Sequence, residues 1–145
     1  MYQIIYMSAA KSSMNEVALN NLLISTRNWN SQRKITGILL HIDGDFMQII
    51  EGEEVDVKQL FEKIKLDKRH SGIIQITGKE IQKRQFPEWS MAFKSNKYNE
   101  LNLIQELEDF KNEKILNSDE KKTISLIRNF IENHKNSIIL NTIIK

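Results

Sequence analysis

The chain has 145 residues, 40% hydrophobic and 28% charged, with a formal net charge of +2 and no cysteine. That length supports about one domain of ~150 residues, and the composition excludes an intrinsically disordered chain. The missing thiols exclude disulfides, thiolate metal sites and cysteine nucleophiles, and the small charge excludes nucleic acid or an anionic membrane as the default partner.

The N-terminus has no basic start followed by an apolar run, so no signal peptide is expected. No stretch approaches the ~18 consecutive apolar residues of a membrane span, and a cytoplasmic protein is the expectation. Tyr2 to Met7 is a short apolar run rich in strand formers and predicts a first strand. Ser13 and Glu16 have the S-x-x-E spacing of a capping box, which predicts a helix from about Met14. Val17, Leu22 and Leu23 fall roughly on one face of it, and Asn28 to Asn30 read as its frayed end.

Ile35 to Ile42 and Phe46 to Ile50 are apolar runs separated by Asp43, Gly44 and Asp45. Asp-Gly between two such runs predicts a hairpin. Glu53 and Glu54 stand where a helix dipole favours acids, ahead of Val57, Leu60, Phe61 and Ile64 at helical spacing. Gly72 to Ile76 and Trp89 to Phe93 read as two more strands, linked by a charged stretch and the only proline, Pro87. One helix then carries Leu103, Ile104, Leu107 and Phe110, and another starts near Ser118 and carries Ile124, Ile127 and Ile131.

This order begins with the split βαβ arrangement, so the expected fold is α+β, a ferredoxin-like βαββαββ sheet with two helices on one face. The later helices are expected to cover the other face. The apolar tail Ile138 to Ile144 should pack on the domain or on a second copy. The division expected is a core over residues 1–97, with residues 98–145 a helical cap and tail of the same domain.

Three strand features are unusual for a plain core. Tyr6 sits mid-strand, Gln48 lies inside an otherwise apolar run, and Trp89 alternates with Met91. A buried glutamine without partners costs about 1–3 kcal/mol, so Gln48 needs hydrogen-bonding company. Its amide donates and accepts at once and can be turned end for end, which makes a Tyr–Gln pair a two-state switch. Asn30 offers another amide. Each also has an ordinary reading: a satisfied core tyrosine, a glutamine bonded to backbone, a half-buried strand, a helix-ending asparagine.

No G-x-G-x-x-G or G-x-x-x-x-G-K-[ST] motif occurs, and His41, His70 and His134 lack metal spacing, so no metal is expected. Lys79, Lys83 and Arg84 read as a solvated basic face. The residues alone support an α/β ligand-binding or interaction domain.

Four segments resemble one family. They are IIYMSAA from Ile4, ITGILLHIDGDFMQIIEGEE from Ile35, LDKRHSG from Leu66 and RQFPEWSMAF from Arg84. Together they cover residues 2 to 94 in the order and spacing of the BLUF domains, blue-light sensors using FAD. The resemblance implies a flavin between the two helices with its ring against the sheet, FAD being the expected form and FMN or riboflavin substitutes. It implies that Tyr6 gives an electron and a proton to the excited ring, and that Gln48, bridging Tyr6 and the ring, is left rotated or tautomerised. Asn30 matches a ring contact, and Asp67, Arg69 and His70 match a segment near the flavin. Ser8, Trp89 and Met91 match positions that relay the state of the glutamine. Trp29 departs from the family, which often has Asn or His there, and places an aromatic surface at a polar contact.

The chain ends about 50 residues after the sensing core, too short for a cyclase or phosphodiesterase output domain. The resemblance therefore implies a photoreceptor without enzymatic activity. It would act on a protein effector through the last strand and the C-terminal helices, and a homo-oligomer is expected. The alternatives are a light-independent ferredoxin-like regulatory module, which would be colourless when purified, and a small flavin enzyme, which NADH would bleach.

Overall fold

The computed structural model describes residues 1–10, 16–87, 92–95 and 116–134. In chain order the elements are β1 (Tyr2–Ala10), α1 (Glu16–Gln32), β2 (Thr36–Ile42), β3 (Asp45–Gly52), α2 (Glu54–Leu66), β4 (His70–Glu80), β5 (Ala92–Ser95) and α3 (Ser118–Asn133). The sheet order is β4-β1-β3-β2-β5, and β1 pairs antiparallel with both β3 and β4. The first four strands thus have the 4-1-3-2 order of the ferredoxin-like fold, with β5 added beside β2.

Local chemistry explains the central hairpin. Asp43 and Gly44 both have positive φ, 53° and 83°, as a two-residue type I′ turn demands. Upstream, Gly37 has φ 152°, and a Cβ there would lie 1.8 Å from the Ile49 carbonyl oxygen of β3. Only glycine permits that approach of β2 to β3.

Helix α2 carries Glu54 and Asp56 in its first turn and Lys63 and Lys65 in its last, the arrangement that the helix dipole favours. Helix α1 runs through the asparagine stretch to Gln32, two residues past the end expected from sequence. A Schellman motif holds that end. Ile35 N–H donates to the Asn30 carbonyl at 2.9 Å and Lys34 N–H to the Ser31 carbonyl at 3.3 Å, with Lys34 left-handed at φ 52°. The capping box proposed at Ser13 lies outside the described residues.

Alternation along the strands sorts side chains to two faces. Ile4, Tyr6, Leu39, Phe46 and Ile50 join Val57, Leu60 and Phe61 of α2 in one core cluster. On the opposite face Ile5, Ile38, Leu40, Ile42, Met47 and Ile49 are at most 2% exposed.

Glu51 is fully buried on that second face. Its carboxylate accepts from Gln85 N–H at 2.7 Å and Phe86 N–H at 2.8 Å. Arg84 donates to Thr36 Oγ1 and the Glu51 carbonyl at 2.9 and 2.8 Å. Arg84 is therefore a strut between the segment after β4 and the sheet, where sequence suggested a merely solvated cation.

Two other boundaries moved. Strand β4 runs from His70 to Glu80 rather than Gly72 to Ile76, because its mostly exposed residues carry no apolar signal at either end. The last strand reaches Ser95, two residues past the expected Phe93, and its expected start at Trp89 lies outside the described residues. The chain forms two compact units, Met1–Phe93 and Lys94–Lys145. In the second, α3 starts where expected, with Asn117 Oδ1 accepting from Glu120 N–H and Glu120 Oε2 accepting from Asn117 N–H, each at 2.9 Å. The helix through Leu103 to Phe110 and the tail from Ile138 lie outside the described residues. Among those described, no helix is long and apolar enough to cross a membrane.

Candidate functional site

The β1–β3 register sets Tyr6 directly opposite Gln48, and the β3–β2 register sets Gln48 opposite Leu39. Tyr6 is 4% exposed and Gln48 3%. The Tyr6 hydroxyl donates to Gln48 Oε1 in a short hydrogen bond. Burial, with a smaller contribution from the Asp67 carboxylate, pushes the Tyr6 phenol far above its ordinary range. It therefore remains a neutral O–H donor at physiological pH.

The row forms the floor of a cavity of ≈ 370 Å³, within the roughly 300–1,000 Å³ typical of ligand sites. Leu22, Ser25, Thr26, Trp29 and Asn30 of α1 make one wall, at the 3–4-residue spacing of a single helix face. Leu60, Lys63 and Ile64 of α2, followed by Asp67, make the other. Phe46, Arg69 and His70 complete the lining.

Asn30 is the sharpest pointer to a ligand. It is 1% exposed, and neither Oδ1 nor Nδ2 has a partner. Each buried unsatisfied group costs about 1–3 kcal/mol. The Schellman motif fixes its backbone carbonyl, so the residue is held where it is. One amide that can donate and accept, beside apolar Leu22, Leu39, Phe46 and Ile64, suits a flat heteroaromatic ring with polar edges. A flavin is such a ring.

His70 joins three elements. Its Nε2 lies 2.7 Å from the Ile64 carbonyl and its Nδ1 2.8 Å from Ser8 Oγ. A carbonyl only accepts, so Nε2 carries the hydrogen, and in the neutral ring Nδ1 accepts from Ser8. Asp67 accepts from the Arg69 backbone N–H at 2.9 Å and from its guanidinium, which holds the carboxyl below the usual range.

Of the residues expected from sequence, Tyr6, Trp29, Asn30, Gln48, Asp67, Arg69 and His70 line one cavity. Ser8 reaches it only through His70. Trp89 and Met91 lie outside the described residues. Leu22, Ser25, Thr26, Leu39, Phe46, Leu60, Lys63 and Ile64 were missed as site residues. The helical spacing that leads to Asn30 and to Asp67 is the signal that could have found most of them. No group of three or more residues suited to a metal occurs among the described residues.

The family model described as "Sensors of blue-light using FAD" (BLUF) matches residues 1–92. Photoactivated adenylate cyclase subunit beta of Euglena gracilis is 33% identical over 88 residues, which cover 60% of this chain and 10% of that protein. The chain therefore matches about a tenth of that relative's length. The dark-state structure of BlrB, a BLUF protein, has a TM-score of 0.66 at 31% identity, covering 76% of this chain and 83% of that one. Klebsiella pneumoniae BlrP1 with FMN and cyclic diGMP has a TM-score of 0.76 at 25% identity, covering 90% of this chain and 34% of that one.

Proposed function

Because this chain belongs to the BLUF family and is a blue-light flavin sensor, we propose that its switch is the Tyr6–Gln48 hydrogen bond, read against FAD bound between α1 and α2. The observation that carries this reading is a buried phenol bonded to a reversible amide, with the unpartnered Asn30 amide lining the same cavity. When bound, the flavin supplies absorption of blue light and acceptance of an electron.

Asn30 would hold a polar edge of the ring. Tyr6 is the donor of an electron and a proton, and its neutral O–H keeps that proton available. Gln48 accepts from Tyr6 in the resting arrangement. Turning the amide presents Nε2 where Oε1 was, so Tyr6 must find a new acceptor or itself become one. Two nearly balanced arrangements of one buried amide store the signal as a population. Asp67, Arg69 and His70 shape the end of the site, and Ser8, Trp89 and Met91 pass the change toward β5.

The relatives named as cyclases carry this module on longer chains. In this protein the module acts without catalysing a reaction itself. It works in the cytoplasm on a separate effector, through β5 and the C-terminal helices, as a homo-oligomer. The test is an absorption spectrum of the purified protein before and after blue illumination. A small, reversible red shift is expected, lost in Tyr6→Phe with flavin still bound. An unchanged shift in that variant removes the mechanism.

A further inference from the structure

Burial of the lining falls from floor to rim. Tyr6, Gln48 and Asn30 are nearly inaccessible, Trp29 is half-buried, and Lys63 and Arg69 are exposed. A flavin whose ring sits on the floor must lead its side chain out past that rim. Trp29 and Lys63 line that rim, with Lys63 Nζ 4.6 Å from the Trp29 ring centroid, and Arg33, outside the lining itself, has its guanidinium carbon 3.9 Å from the same centroid. Arg33 follows α1 and Lys63 belongs to α2, so one indole gathers a cation from each wall.

Among the described residues no acid pairs with either cation, whereas Lys58 pairs with Glu54, Lys65 with Glu62 and Arg69 with Asp67. Asp67, the only carboxylate in the cavity lining among the described residues, is already engaged by Arg69. Cation–π attraction holds Arg33 and Lys63 to the ring, but two like charges on one ring repel each other. An anion near both would relieve that repulsion. A guanidinium fork and an ammonium are both donors that take phosphate oxygens.

We infer that Arg33 and Lys63, gathered on Trp29, form a phosphate subsite that makes this chain prefer FMN and FAD to riboflavin. The inference rests on the flavin reading above and deepens it. Trp29 is the positioning residue: it lines the rim and holds both cations to its ring, a task that asparagine or histidine there would perform poorly. The three flavins share one ring, so the subsite alone separates them.

The test strips the flavin from the full chain and titrates the apoprotein with riboflavin, FMN and FAD. FMN and FAD should bind about tenfold or more tightly than riboflavin at low salt, and the gap should narrow as ionic strength rises. Arg33→Gln should weaken FMN and FAD but not riboflavin. Adding Lys63→Gln should bring the ratios to within about twofold. Equal affinities in the unmodified protein, or a preference that neither salt nor the double variant reduces, would overturn the subsite. Should the double variant not fold, the salt dependence of the unmodified protein still decides the question. If all three flavins bind equally and each gives the reversible red shift, only this inference fails. If none binds, the flavin reading fails with it.

Discussion

Asn30 and Glu51 show opposite ways of burying a polar side chain. Asn30 is left without protein partners, a cost that makes sense where a ligand completes the set. Asn30→Leu should therefore leave the apoprotein as stable as before or more so, while flavin binding weakens about ten- to a hundredfold. Denaturant melts of the apoprotein and a flavin titration together check this. A fall in apoprotein stability matching the loss of binding would make Asn30 structural.

Glu51, by contrast, accepts from two backbone N–H groups, one on each oxygen, yet burial still raises its carboxyl above the ordinary 4.5. A raised folded value means that the native state holds the proton longer. The stabilisation is then complete below the unfolded value and is lost as pH rises from 4.5 through the folded value. Asp67 works in the other direction: its lowered value stabilises above the ordinary range and fails as acid protonates it. Glu51→Gln should flatten the decline above 4.5 and leave the acid limb of Asp67 in place. Urea midpoints across pH, in both proteins, are the measurement.

Among the elements, α1 depends most on its end. Lys34 occupies a left-handed position where a side chain costs about 1–2 kcal/mol, partly offset by the greater entropy that glycine loses on folding. Lys34→Gly should stabilise the protein by about 0.5–1 kcal/mol without altering the absorption spectrum. A lower urea midpoint would show that Lys34 earns its place by other contacts. The sequence hid this end because asparagines are poor helix interiors, whereas the Schellman bonds carry the helix past them. The Asp43–Gly44 turn was legible for the opposite reason: its backbone demands φ > 0, and few residues accept it.

For the whole molecule, a ligand that binds only the folded state stabilises it by mass action. Removing the flavin should lower the melting temperature, and restoring it at ~100 times its Kd should return about 2.7 kcal/mol. Equal melting temperatures with and without excess FAD would place the flavin outside the folded core. The two units matter here because a melt of the full chain reports both. Flavin absorbance, followed beside far-UV circular dichroism, isolates the unit that holds the cavity.

The sequence determined the order of elements, the central hairpin, and the residue types at the floor. These are local properties, set by periodicity, turn stereochemistry and the rarity of glutamine among strand apolars. Tertiary structure decided the rest. Register brought Tyr6 to Gln48, the Asn30 amide lost its partners only once α1 packed on the sheet, and Arg84 became a strut only once Glu51 was buried beneath it. The gathering of Arg33 and Lys63 on Trp29 needed both helices in place. None of these was written in spacing along the chain, because each depends on distances between segments that the fold alone brings together.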